Sequence, residues 1–242
     1  GWLPGERALL RTLNALGHDM RMLVARNEVE SWQRLTRVLT HEIMNATAPI
    51  CSISQTLLEN PPSKASEYKE GILTIHDISH HLYAFVENYR KLQYISSPQY
   101  TDVKLGELIT DLQQLFPAPF FHFYIQDTEQ ILRIDRSQIE QVLINLLKNA
   151  EEAVRDIEDK NISISARAEK PQHIITINVE DNGCGIMPEV LERIFVPFFT
   201  TKPGGSGIGL SVCRQIASLH GGSITVSSTP LKQTVFTLQL PM

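Results

Sequence analysis

Residues Leu39 to Ile50 read LTHEIMNATAPI. Inside this largely apolar stretch stand an imidazole and a carboxylate side by side, His41 and Glu42, with an amide, Asn45, one helical turn after the histidine. A neutral imidazole is a competent nucleophile, and a neighbouring carboxylate can take its other proton. Adjacent helix residues point about 100° apart, so Glu42 needs a bent rotamer to reach the ring. Asn45 occupies the place where a zinc-protease HExxH motif needs its second histidine, which excludes that reading. Pro49 follows one turn later and is expected to bend the helix and expose the site. His76 and His80 are also four apart, but no third metal ligand accompanies them, so they read as solvated surface.

A second concentration of chemistry lies a hundred residues on. IEQVLINLLKNAEEAV carries Asn145 and Asn149 on one face of a helix, with Leu143, Leu146 and Leu147 on the buried side. Two amides on one face are poor core residues but good ligands, and an Asn carbonyl oxygen suits Mg2+ beside phosphate. Lys148 could add positive charge nearby. VEDNGCGI puts Asp181 at a strand end, followed by Gly183 and Gly185. PGGSGIGLSV then places Gly205, Gly207 and Gly209 at alternate positions ahead of a helix. Such a loop lets backbone approach a bulky ligand, and the helix start offers unpaired N–H groups to phosphate.

Two kinds of element must position these groups. Up to about residue 96 the chain reads as helix. Ile75, Ile78, Leu82, Phe85, Tyr89 and Leu92 step by three and four, as in a helical bundle, and Trp32, Leu35, Leu39 and Ile43 form an earlier stripe. The two prolines of ENPPSKAS separate the helices. This gives an antiparallel hairpin, roughly 28–58 and 65–96, which as a homodimer completes a four-helix bundle. Residues 1–27 carry Leu9, Leu13, Leu16, Met20 and Leu23 at similar steps and are expected to form a coiled-coil extension. After SSPQY the pattern changes to short β-branched and aromatic strands, with helices near 105–115, 136–158 and 208–220. Residues 97–242 therefore read as a separate α/β sandwich, and the whole chain as α+β with two domains.

In order along the chain, NLLKNAEEA, DNGCGI, IFVPFFTTK and GGSGIGLSV resemble the N, G1, F and G2 boxes of sensor histidine kinases. WQRLTRVLTHEIMNATAPI is similar to the H box, and with FVENYRKLQYI it resembles the nitrogen-regulation, NtrY-like branch. The resemblance spans roughly residues 30–242. It implies a Bergerat fold, a mixed sheet under three helices with ATP beneath a lid. It implies that Asp181 accepts from the adenine amino group, Gly183 and Gly185 line the adenine side, and Asn149 coordinates Mg2+ with support from Asn145. Gly205, Gly207 and Gly209 then meet the phosphates, and Thr237 holds adenine through water. Lys202 reaches the γ-phosphate, or Phe195, Phe198 and Phe199 latch the lid onto the domain, and both can hold. DNA gyrase-like ATPases place a water-activating glutamate where this chain has Asn145, which argues for kinase over ATPase chemistry. His41 becomes the phosphoacceptor, Glu42 its base, and Asn45 the residue that positions water for a phosphatase step. The implied partner is a response-regulator receiver domain docked on the bundle.

The rest of the composition narrows the class. The 242 residues carry a net charge of −5 without a long basic run, which disfavours nucleic acid and anionic membrane as partners. Cys51, Cys184 and Cys213 are far apart and lack CxxC spacing, so reduced thiols are expected and a zinc site is not. No apolar run approaches the roughly 20 residues of a membrane span. The chain begins Gly-Trp, as an excised fragment would. It is expected to be cytoplasmic, or the cytoplasmic part of an inner-membrane sensor. Two rivals to the kinase reading are an ATP-hydrolysing conformational switch and a non-catalytic dimeric scaffold.

Overall fold

The computed structural model describes residues 36–37, 39–59, 64–202 and 205–242. The coiled-coil extension expected over 1–27, and Trp32 and Leu35 of the first stripe, lie outside the described residues. The chain divides into two compact units, with the division between Val86 and Glu87.

The first unit is a helical hairpin. Its first helix, α1, runs through residues 39–59, and the second, α2, is Ala65–Gln93, the last turns of which belong to the second unit. Leu39, Ala46, Ile50, Ile53 and Leu57 form the half-buried side of α1, and Ile75, Ile78, Leu82 and Phe85 that of α2. The Tyr68 hydroxyl donates to the Leu57 carbonyl at 3.3 Å, and a Cβ at Gly71 would lie 3.0 Å from a Leu57 methyl. None of the described residues of this unit is fully buried, and Ile72, Leu73 and Tyr83 are at least half exposed. Two helices packed on each other cover both apolar stripes only in part. The helical conformation continues through Pro49, which has no N–H to give the Asn45 carbonyl. Thr40 and Thr47 donate their hydroxyls to the carbonyls of Thr36 and Ile43.

The second unit is an α/β sandwich. Its strands are β1 (Thr101–Lys104), β2 (Phe121–Ile125), β3 (Ile131–Ile134), β4 (Ile162–Glu169), β5 (Ile174–Asp181), β6 (Ser223–Thr229) and β7 (Gln233–Pro241). Its helices are α3 (Leu105–Leu115), α4 (Arg136–Ala153), the single turn α5 (Pro188–Leu191) and α6 (Gly209–Leu219). Five strands make one mixed sheet in the order β2-β4-β5-β7-β6, where only β2 and β4 are parallel. The short β1 and β3 pair antiparallel as a separate ribbon that the periodicity did not reveal. Four residues are too few to display an alternation.

Helices α3, α4 and α6 cover one face of the sheet. Leu105, Leu108, Ile109 and Leu112 of α3, Ile139, Leu143, Leu146 and Leu147 of α4, and Ile216 of α6 meet Ile162, Ile164, Ile175, Ile177, Leu238 and Leu240 in one core. Each such side chain withdrawn from water contributes on the order of 2 kcal/mol. The opposite face carries the partly exposed Ser163, Ser165, Asn178 and Thr237, as strand alternation requires when one side is packed and the other is more open to water.

Candidate functional site

Helix α4 begins at Asp135, whose carboxylate accepts from the Gln138 backbone N–H and the Ser137 hydroxyl. Such an N-cap is worth about 1 kcal/mol. The helix was expected to reach 158 but ends at Ala153, whose carbonyl accepts from the Cys184 N–H at 3.3 Å. This contact carries the glycine loop against the helix end. A Cβ on Gly183 would sit 2.5 Å from the Ala153 carbonyl oxygen, so only glycine allows the approach. The loop follows β5, and Asp181 is thereby set near the end of α4.

Asp181 takes a place in β5 that strand alternation reserves for the core. Ile175, Ile177 and Val179 precede it on the same face, and it is itself 2% exposed. Burial pushes its carboxyl up to about 6, against the opposing hydrogen bond from the Gly183 N–H at 2.9 Å. A carboxylate withdrawn from water in this way is poised to gain from a ligand that brings it an N–H donor.

Directly across from Asp181 on β7 stands Thr234, also 2% exposed. Its hydroxyl is 3.0 Å from that of Ser228, which accepts from the Ile186 N–H and donates to the Gln233 carbonyl. The Ser228 donation fixes Thr234 as the donor of that pair. Thr237 lies on the other side of the sheet, where its hydroxyl donates to the Asn178 side chain at 2.8 Å. The structure thus corrects the placement of Thr237: the threonine beside Asp181 is Thr234. The signal was available, because Phe236, Leu238 and Leu240 alternate into the core and position 234 shares their parity.

On α4, the Asn149 amide nitrogen donates to the Asn145 carbonyl oxygen at 3.1 Å. That bond turns the Asn149 oxygen outward, where it accepts from the Lys202 ammonium at 3.1 Å. Glu152, one turn further on the same face, forms an ion pair with the same ammonium. Glu152 was not expected in the site, although its spacing of three from Asn149 put it on the right face. Lys148 departs from expectation in the other direction. It lines a groove of about 560 Å³ with Leu115, Phe116, Pro117, Ala118 and Phe121, on the α3 side of α4 and off the Asn145–Asn149 face.

The glycine loop ahead of α6 is joined to the phenylalanine segment. Gly207 has φ +65 and a Cβ there would fall 2.5 Å from the Phe198 carbonyl carbon. Gly205 packs on the Thr200 hydroxyl, Gly209 on the Asn145 amide, and Gly185 on the Thr229 carbonyl. Phe195 packs on the core, with the Arg214 guanidinium 5.6 Å from its ring centroid, and Arg193 sits 4.3 Å over Phe199. Phe198 is half-buried and holds φ 64, an unfavourable angle for a bulky residue. No side chain caps the N-terminus of α6 beside Asn145, which leaves its first N–H groups available to an anion.

The donor set fits both ligands that the resemblance implies. Asn149 already presents a carbonyl oxygen to a cation, the Lys202 ammonium, and a divalent ion makes the same demand of it. Asp181 offers an acceptor to an amino-bearing ring.

In the first unit, His41, Glu42 and Asn45 are all exposed. At about 100° per residue, His41 lies roughly 200° round α1 from the packed side marked by Leu39, and Asn45 lies near it. The imidazole is therefore carried on the outer face of the helix.

Residues 134–242 match the family model "Histidine kinase-, DNA gyrase B-, and HSP90-like ATPase". The sensor histidine kinase ZraS of Salmonella typhimurium is 30% identical over 210 residues, covering 84% of this chain and 44% of ZraS. A putative sensor histidine kinase, NtrY-like, of Rickettsia conorii is 26% identical over 242 residues, covering 97% of this chain and 40% of that protein. The chain thus spans less than half the length of these curated relatives. The catalytic domain of the histidine kinase ThkA superposes with a TM-score of 0.53 at 35% identity, over 59% of this chain and 95% of that one. ThkA in complex with the response regulator protein TrrA gives a TM-score of 0.55 at 26% identity, over 98% of this chain and 64% of that one.

Proposed function

Because this chain belongs to the sensor histidine kinases and has NtrY-like relatives, we propose that it moves the terminal phosphoryl group of ATP to His41 and onward to an aspartate of a response regulator. The observation that carries this reading is Asp181, a carboxylate 2% exposed on the core face of β5. A fold does not bury an acid there for stability. Near it, the α4 face carries a cation-binding amide oxygen, Asn149.

In this reading Asp181 accepts from the adenine amino group, and Thr234, its cross-strand neighbour, adds a hydroxyl on the same face. A carboxylate acceptor selects adenine over guanine, which presents a carbonyl at the matching position. Asn149 would hold Mg2+, which neutralises charge on the phosphates during transfer. Asn145 orients Asn149 through the amide–amide bond. The uncapped start of α6 behind Gly205, Gly207 and Gly209 receives phosphate oxygens. A ring nitrogen of His41 attacks the γ-phosphorus, the bond from phosphorus to the β–γ bridging oxygen breaks, and ADP leaves. Glu42 takes the proton from the other ring nitrogen. The receiver carboxylate then attacks the phosphorus and restores the free imidazole. Asn45, on the same helical face, positions water that attacks the aspartyl phosphate of the regulator, releasing inorganic phosphate and the free carboxylate. Residues 28–96 would serve as the dimerisation and phosphotransfer hairpin and 97–242 as the catalytic domain. Pairing two hairpins would cover exposed Ile72, Leu73 and Tyr83.

The test is incubation with γ-labelled ATP and Mg2+, with and without a purified receiver domain. Acid-labile label on the wild-type chain, absent from His41→Gln and chased onto the receiver, is the expected result. Free phosphate without protein label would support a hydrolysing switch instead, and no nucleotide turnover would support a scaffold.

A further inference from the structure

The Asn149 face of α4 is met by a cation of the chain itself, the Lys202 ammonium. The Asn149 side-chain nitrogen donates to Asn145, and that bond orients its oxygen toward Lys202. Lys202 is held there from both sides. Its ammonium also pairs with Glu152, while its backbone N–H donates to the Thr200 hydroxyl and its carbonyl accepts from the Gly205 N–H. The lysine side chain is 46% exposed and that of Glu152 45%, so the pair can open without unfolding anything.

We propose that Lys202 is a resident cation on the Asn149 oxygen, anchored there by Glu152 and exchanged for a divalent cation when nucleotide enters. This rests on the reading of Asn149 as the metal ligand. An ammonium and Mg2+ on the same oxygen would stand within a few Å of each other and repel strongly, so the metal displaces the lysine. The displaced ammonium gives up the Asn149 oxygen and gains a partner in its place only if a γ-phosphate is present. ADP with Mg2+ therefore breaks the contact without replacement, whereas ATP replaces it. The exchange lowers affinity for the product relative to the substrate.

Calorimetric titration of ADP and of a non-hydrolysable ATP analogue, each with Mg2+, tests this on wild type and Lys202→Met. For an exposed pair the expected effect is modest: Mg2+·ADP binds about 2- to 5-fold tighter to the variant, while the triphosphate analogue binds more weakly. Unchanged or weaker ADP binding in Lys202→Met overturns the proposal. A second readout needs no ligand. Backbone hydrogen exchange at residues 198–202 should quicken in both Lys202→Met and Glu152→Gln, and unchanged exchange in both overturns the anchoring role. Asn149→Ala separates this inference from its premise: if wild-type nucleotide binding proves independent of both Mg2+ and Asn149, the metal-ligand reading fails, whatever Lys202 does.

Discussion

Asp181 and Thr234 are register partners on the core face of adjacent antiparallel strands, and each is 2% exposed. They are two polar side chains at the edge of an otherwise apolar layer: the carboxylate accepts from the Gly183 N–H, and the threonine hydroxyl donates to that of Ser228.

Asp181→Asn replaces the carboxylate by an amide of the same shape. It keeps the oxygen that accepts from Gly183 but loses the charged acceptor for an adenine amino group. Adenine nucleotide affinity is expected to fall about 10- to 100-fold, as for loss of a hydrogen bond to a charged group. Equilibrium binding of a fluorescent ATP analogue would measure it, and an affinity within twofold of wild type would remove Asp181 from the site.

The same residue predicts a pH dependence of sign opposite to that of an ordinary salt-bridged acid. Its carboxyl rises from 3.8 to about 6 on folding because burial disfavours the charge. The nucleotide-free protein therefore has its full contribution from this group below about pH 4 and loses it as pH rises through 6. The loss is at most about 3 kcal/mol. Thermal unfolding at pH 8 should show Asp181→Asn at least as stable as wild type. Nucleotide affinity should run the other way and weaken as pH falls through about 6, where the acceptor is protonated.

Thr234→Val and Thr237→Val are chemically identical changes on opposite faces of one strand. Thr234→Val should weaken adenine nucleotide binding about 3- to 10-fold, roughly the worth of one neutral hydrogen bond. Thr237→Val should leave it unchanged. The reverse outcome in a binding titration would show that the facing of β7 toward the nucleotide is wrong.

Lys148→Ala should likewise leave nucleotide affinity and its Mg2+ dependence intact, since Lys148 lines the groove beside α3. Parallel titrations with Asn149→Ala, which should abolish the Mg2+ requirement, supply the contrast.

Gly183→Ala adds a single methyl group 2.5 Å from the Ala153 carbonyl oxygen. Neither backbone can yield cheaply, so the loop must part from α4. We expect a loss of about 1–3 kcal/mol in denaturant unfolding together with weaker nucleotide binding. A fully stable variant would mean that the loop and helix end are not in contact.

Much of this molecule follows from local pattern. The helical hairpin is legible because Ile75, Ile78, Leu82 and Phe85 repeat at steps of three and four, and the face they mark is the one that is half-buried. Helices α3 and α6 fall where expected because apolar spacing within a helix depends only on its own 3.6-residue turn. The His41–Glu42–Asn45 trio, the paired asparagines and the glycine loops are read from type and spacing for the same reason. What tertiary structure decided is which side chains from distant segments meet. The face of Thr234 depends on how β7 registers against β5, and the place of Lys148 in the groove beside α3 depends on which flank of α4 receives α3. The end of α4 at Ala153 is fixed by a loop thirty residues later in the chain, and the grip of Lys202 on Asn149 and Glu152 by a segment fifty residues later. No periodicity within one segment encodes such meetings, because they are set by the packing of the whole second unit around one core.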